Sequence, residues 1–455
     1  MSGQDKGEKE KINNSLGFAV KLLASGVFVG GRTPEDFVKN DIHAPYGFTI
    51  DDLTVSVDEQ RERITLSLPS GLSRTAVHHP GLGCTLLPAD AEDVSFEPVK
   101  IQSTLPDAET LDWPMGDRNP DTGNQDGVDQ EKLDAALDLA FDENAHEHPQ
   151  RTRAMVVLHN GRIVGERYAP GFSQDSKLVN WSMGKSITSA LIGILINEGN
   201  FSLNDRAPIE EWSDPEDPRH EITIAHLLRM SSGLKFNKYE TYEDFFSNDN
   251  NHNFVHFGAV NVFDYVTAPP QEFPPNTVWR YRNCDVLSLG KIIKQTVQAR
   301  GEEYLTFPQR VLFDRIGIRN IVLEPDPWGN FISTGYDHGT ARDWARLGQL
   351  HLQDGVWNGD RILPEGWVDF VRTPAPAAAD KHYGGFFWLN AGNRFPAIPN
   401  DAYWADGARG QFTMIIPSRN VVIVRLGHSL DAPSFSRYRE RVVADVLSAI
   451  DEPEG

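Results

Sequence analysis

Residues 187–196 carry Ile187, Leu191, Ile192, Ile194, Leu195 and Ile196, and Gly199 stops the run. A helix that is apolar on nearly every face can be placed only inside a core, so the chain must build a large interior around this segment. The mouth of the helix is polar. Ser182-Met183-Gly184-Lys185 reads S-x-x-K, and a single helical turn between serine and lysine sets both on one face. The first N–H groups of a helix lack an intrahelical partner, so an oxyanion forming beside Ser182 would meet backbone donors and the positive end of the helix dipole. A nucleophile and base placed in this way suggest acyl transfer.

The same spacing recurs at Ser232-Gly233-Leu234-Lys235, after an apolar helix expected over residues 222–230. There a Ser-Gly turn closes the helix, so serine and lysine do not share a helical face and the second copy reads as structural.

Charge removes several function classes. The 455 residues hold 43 Lys plus Arg against 65 Asp plus Glu, a formal net charge of −22. Such a surface repels phosphate backbones and anionic lipid, which argues against nucleic-acid and membrane partners. Two cysteines, Cys84 and Cys284, lie far apart and make no disulfide framework, and Cys284 reads as a small buried thiol. The polar start, with Lys6, Glu8, Lys9, Glu10 and Lys11, has no signal-peptide core. Residues 16–31 are too short to span a bilayer and contain Lys21. The expected location is cytoplasmic, or periplasmic if an export signal has been removed.

Alternating residues around 48–68 predict a hairpin in a small β-containing prefix, and the Pro-, Asp- and Gly-dense stretch 105–126 reads as a linker. This gives a prefix over 1–125 and a main domain over 126–455, with a mostly helical and loop subdomain roughly at 178–380. The main domain opens with a helix over 128–142 and a hairpin turning at Asn160-Gly161. It closes with strands at 412–416 and 421–426 and a helix over 435–450. The fold class is therefore α/β in the α+β sense: the two ends of the domain supply one antiparallel sheet flanked by helices. Thr340-Ala341-Arg342-Asp343 caps a further helix, and 383–388 reads as an inner strand with Trp388 in the core.

Tyr281-Arg282-Asn283 follows the serine. A phenol near a lysine can carry a proton to a leaving group, and an Asn amide can hold the lysine and a substrate carbonyl. Ala405-Asp406-Gly407-Ala408-Arg409-Gly410-Gln411-Phe412 brings glycine-rich backbone to a strand edge, where a substrate can approach closely. The acidic, aromatic segment 236–256 reads equally as an active-site lid or a surface excursion, with Tyr239 as a substrate contact. His252 and His256 are four apart but lack the glutamate of a zinc protease, and no G-x-S-x-G elbow occurs.

Together with Asn180-Trp181, the segment 226–234 and Thr340-Ala341-Arg342-Asp343-Trp344, these motifs resemble the serine hydrolases of the class C β-lactamase and penicillin-binding-protein fold. The wording is nearest the branch of 6-aminohexanoate-dimer hydrolases and esterases. The resemblance covers residues 128–450 and implies a β-lactamase-like sheet with helices. It makes Ser182 the nucleophile, Lys185 its base, Tyr281 the proton shuttle and Asn283 the orienting residue. The backbone N–H groups of Ser182 and Ala408 would form the oxyanion hole, with Asp406, Gly407 and Arg409 contacting substrate. Where β-lactamases carry Lys-Thr-Gly, this chain has Ala405-Asp406-Gly407. The lysine that would grip a substrate carboxylate is missing, and Asp406 is expected to repel one.

The expectation is a serine hydrolase acting through an acyl-enzyme on carboxylic esters or linear amides, without metal or cofactor. Its partner would be a small ester or amide, with a homo-oligomer left open. The alternatives are a β-lactamase or D-alanyl-D-alanine peptidase and a non-catalytic binding module.

Overall fold

The computed structural model describes residues 3–42, 45–119, 127–237, 241–250 and 252–452. Helix α1 is Gly3–Ala24, followed by strands β1 (Thr54–Asp58), β2 (Arg63–Ser67), β3 (Ser73–His79) and β4 (Gly83–Leu86). Next come helix α2 (Gln130–Phe141), β5 (Thr152–His159), β6 (Arg162–Tyr168), α3 (Gly184–Asn197), α4 (Asn283–Ala299) and α5 (Ala341–Leu352). The chain closes with β7 (Trp388–Leu389), β8 (Tyr403–Gly407), β9 (Gln411–Ile416), β10 (Val421–Gly427) and α6 (Ala432–Ser448). These elements form two compact units. One comprises Met1–Gln102, Leu203–Phe307 and Val322–His338, the other Ser103–Ser202, Pro308–Ile321 and Gly339–Gly455.

The second unit is built on a six-stranded antiparallel sheet in the order β7-β8-β9-β10-β5-β6. Strands from its two ends meet where β10 pairs β5, with Val421 opposite His159 and Val424 opposite Val156. Alternation then sorts the side chains. Met155, Val157, Phe412, Met414, Val421 and Ile423 share one core with Leu133 and Leu137 of α2 and Val442 and Val446 of α6. On the other face Val422 and Thr413 meet α5, and a β-carbon on Gly348 would lie 2.6 and 2.9 Å from them. The fold is thus an antiparallel sheet flanked by helices, as the sequence led us to expect. The β5–β6 turn uses Asn160 and Gly161 at φ 51° and 77°, the left-handed pair that a tight hairpin requires.

Helix α3 is buried along nearly its whole length. Two of its hydroxyls bond to a distant stretch of backbone: Ser186 Oγ donates to the Phe386 carbonyl at 2.8 Å and Ser189 Oγ to that of Gly385 at 3.1 Å. The segment that accepts them was expected to be a strand. Only Trp388 of it enters β7, because Phe386 takes φ 64° and Tyr383 folds back to bridge Trp388. The expected linker also differs. Residues 120–126 lie outside the described residues, but the stretch before them is held to the unit by arginines. Arg319 donates to the carbonyls of Pro106 and Met115, and Arg346 to those of Pro114 and Gly116, all within 3.1 Å.

In the first unit the expected hairpin is β1–β2, part of a four-stranded meander ordered β1-β2-β3-β4. Helix α1 was not expected. Leu16, Val20 and Leu23 are fully buried as it packs on β2, β3 and β4. Lys21, which interrupts the apolar run in the sequence, forms a buried ion pair with Glu324, whose carboxylate also accepts from Ser25 Oγ at 2.9 Å and the Cys84 N–H at 2.7 Å. Burial alone would push the Glu324 carboxyl up, but Lys21 and the other donors hold it below its ordinary value. With its extension to Val29, α1 is long and apolar enough to cross a membrane, yet most of it is buried here. The prefix is therefore no separate domain. It shares a core with residues from 203–307 and 322–338. Part of that core is aromatic: Phe18 of α1 meets Phe245, Phe246 and Phe257 at ring distances of 5.9, 6.1 and 6.4 Å, which anchors the segment read as lid or excursion.

Candidate active site

In the second unit the chain enters α3 through a 3-10 turn, Trp181–Met183. Trp181 sits at φ 55°, a left-handed conformation that costs a bulky aromatic residue about 1–3 kcal/mol and tends to mark functional sites. The turn presents Ser182 at the helix mouth, and Lys185 Nζ donates to Ser182 Oγ at 2.9 Å. Lys185 is 1% exposed while Ser182 keeps partial access to solvent. An amine held on a hydroxyl in this way accepts its proton when unprotonated and returns it as the ammonium.

The glycine-rich box lies in the same unit and against the same turn. β7 pairs only with Tyr403 and Trp404, while Ala405, Asp406 and Gly407 pair with β9 on the other side. At the end of β8 a β-carbon on Gly407 would stand 2.1 Å from the Asn180 carbonyl oxygen, so only glycine lets the strand approach the residues leading into Ser182. Past the strand, Arg409 takes φ 62°. Its carbonyl accepts from Ser429 N–H at 2.9 Å, the Gly410 carbonyl from buried Arg425 at 2.9 Å, and the Ala408 carbonyl from Gln411 Nε2 at 3.1 Å. Three carbonyls tied down in succession fix the loop that carries Ala408. Ala408 and Arg409 are exposed.

Asp406 is placed differently from the expectation. Its carboxylate is paired with Arg439 of α6 and accepts from Trp404 Nε1 at 3.2 Å. The Arg439 guanidinium lies over the rings of Trp404, Phe412 and Phe435 at 4.9–5.6 Å. Burial raises the Asp406 carboxyl above its ordinary range, and Arg439 opposes that shift. The strand therefore carries a neutralised pair, and a direct clash of Asp406 with a substrate carboxylate loses its basis.

Tyr281 and Asn283 belong to the first unit. Asn283 opens α4 and Tyr281 lies two residues before it. His252, weighed in the sequence only as half of a metal pair, meets both: its Nδ1 accepts from the Asn283 N–H at 3.1 Å, and its ring stands 6.1 Å from that of Tyr281. Among the described residues no group of three or more His, Cys, Asp or Glu is gathered for a metal. Tyr239 lies outside the described residues. The structure thus brings Ser182, Lys185 and the 405–409 box into one unit, and Tyr281, Asn283 and His252 together in the other. No local sequence signal marked His252 or Arg439, since each acts on a residue more than a helix length away in the chain.

The family model described as Beta-lactamase matches residues 138–448, and the chain belongs to the beta-lactamase family. The 6-aminohexanoate-dimer hydrolase of Paenarthrobacter ureafaciens is 25% identical over 322 residues, covering 66% of this chain and 79% of that protein. A candidate 6-aminohexanoate-dimer hydrolase from Bacillus anthracis superposes with a TM-score of 0.58 at 21% identity, over 78% of this chain and 92% of that one. A family VIII carboxylesterase superposes with a TM-score of 0.53 at 15% identity, over 70% and 97%.

Proposed function

We propose that this protein is a serine hydrolase that cleaves carboxylic esters or linear amides through an acyl-Ser182 intermediate. The observation that carries the reading is the 2.9 Å contact from Lys185 Nζ to Ser182 Oγ at the mouth of a buried helix. Ser182 Oγ attacks the substrate carbonyl as its proton passes to the unprotonated Lys185 Nζ. The carbonyl oxygen gathers negative charge, for which the helix mouth and the fixed loop at Ala408 supply backbone donors. Collapse of the tetrahedral species expels the alcohol or amine, which takes the proton that Lys185 Nζ had received and leaves the amine free again. Water then attacks the acyl-serine, and its proton returns to Ser182 Oγ as the acid is released. Tyr281 as the carrier of the leaving-group proton and Asn283 as an orienting residue follow from the family's motif order and the chemistry of a phenol and an amide. The names of the relatives, an amide hydrolase and a carboxylesterase, support that substrate class, as does the absence of a lysine at Ala405.

A panel of p-nitrophenyl esters, 6-aminohexanoate dimer and nitrocefin tests the reading. Hydrolysis of an ester or of the linear amide, abolished in Ser182→Ala, supports it. Turnover of nitrocefin alone, or an active Ser182→Ala enzyme, contradicts it.

A further inference from the structure

We infer that His252 is a positioning residue for Asn283 and the start of α4, an inference that rests on the serine-hydrolase reading. Two contacts in opposite directions join the pair. His252 Nδ1 accepts the Asn283 backbone N–H at 3.1 Å, and Asn283 Nδ2 donates to the His252 carbonyl at 2.5 Å.

Each contact has a chemical consequence. A ring nitrogen that accepts from a backbone N–H carries no proton, so the imidazole is neutral with its hydrogen on Nε2. The first N–H groups of a helix need an outside acceptor, and no side chain of the Arg282 cap supplies one, so Nδ1 does the work of an N-cap. A carbonyl can only accept, so the second contact turns the Asn283 amide with its nitrogen toward His252. That leaves Oδ1 as the end able to accept from an ammonium or hydroxyl donor. An Asn amide is nearly symmetric in shape but opposite in polarity at its two ends, and His252 selects between them.

The clasp is itself supported. The His252 ring packs edge-on against Phe236 at 5.5 Å, and Tyr281 lies against the same imidazole at 6.1 Å. The segment carrying His252 is anchored to α1 through Phe245, Phe246 and Phe257.

The test pairs His252→Ala with His252→Asn in the full chain, assayed with p-nitrophenyl butyrate. Asn places Oδ1 at the same number of bonds from the backbone as Nδ1, so it can accept the same N–H. His252→Ala is expected to lower kcat about 10-fold with KM within about 2-fold, and His252→Asn to recover most of that loss. Nitrogen-15 NMR of histidine-labelled wild-type protein reads the clasp without turnover, the His252 signals being assigned by their loss in His252→Asn. The expected tautomer has Nδ1 bare and the proton on Nε2. A proton on Nδ1, wild-type kinetics in His252→Ala, or equal impairment in both variants would overturn the inference. Failure of the serine-hydrolase reading would appear separately, as activity surviving in Ser182→Ala.

Discussion

Ser182 and Ser232 each precede a lysine by three residues, yet Ser182 Oγ takes a hydrogen bond from Lys185 Nζ at 2.9 Å while Ser232 Oγ donates one to Asp285 Oδ1 at 2.6 Å. The cause is helix phase. Ser182 sits on the turn that leads into α3, so one further turn brings Lys185 over it. Ser232 follows the end of the short helix Ile224–Leu228, and Gly233 at φ 78° reverses the chain before Lys235, which is exposed. One serine lies against a lysine amine beside partial solvent access. The other is spent on a fully buried carboxylate. Spacing acquires chemical meaning only once the backbone between the two residues is known.

Substitutions can break this contrast. Ser182→Ala should cost about 10⁴-fold or more in kcat while stability, followed by urea unfolding, stays within about 1 kcal/mol of wild type. Next in size, Gly233→Ala should destabilise by about 3 kcal/mol, because its β-carbon would lie 2.0 Å from the Phe273 carbonyl at a left-handed φ. The same unfolding experiment measures it.

Ser232→Ala should destabilise by about 1–3 kcal/mol, with activity per folded molecule retained, because it strips a donor from buried Asp285. Its effect should depend on pH. Burial raises the Asp285 carboxyl, while Arg282 and the two Ser232 donors lower it, so those donors favour the ionised form. Ser232→Ala removes the Oγ donor and keeps the backbone one, so the penalty is largest where Asp285 is ionised in both proteins and fades as pH falls and the carboxyl protonates. An unfolding series from pH 7 to about pH 4 should show the penalty shrink, whereas a penalty that grows toward acid would contradict the assignment. The smallest effect belongs to Lys235→Ala, which should change stability by no more than about 0.5 kcal/mol and leave kcat as it is.

The elements readable in the sequence were those whose signals are local. Asn160-Gly161 marks its own turn, Thr340 accepts from the Asp343 N–H at 3.1 Å as a capping residue should, and the S-x-x-K pair is set by helical spacing. What escaped is settled by distant partners. Lys21 breaks an apolar run in the sequence and was read as such, yet Glu324 neutralises it inside the first unit. Asp406 read as a charge facing substrate, yet Arg439 takes it up from α6. The glycine-rich box was visible as composition, but the need for Gly407 itself comes from the Asn180 carbonyl packed on it.

The central claim, that one of the two serines is a nucleophile and the other is not, is tested most directly by treating the folded protein with a fluorophosphonate and mapping the adduct by peptide mass spectrometry. The adduct is predicted on Ser182, and it should be absent from Ser232 and from the Ser182→Ala protein. An adduct on Ser232, or hydrolysis that persists with Ser182 unlabelled, would contradict the account.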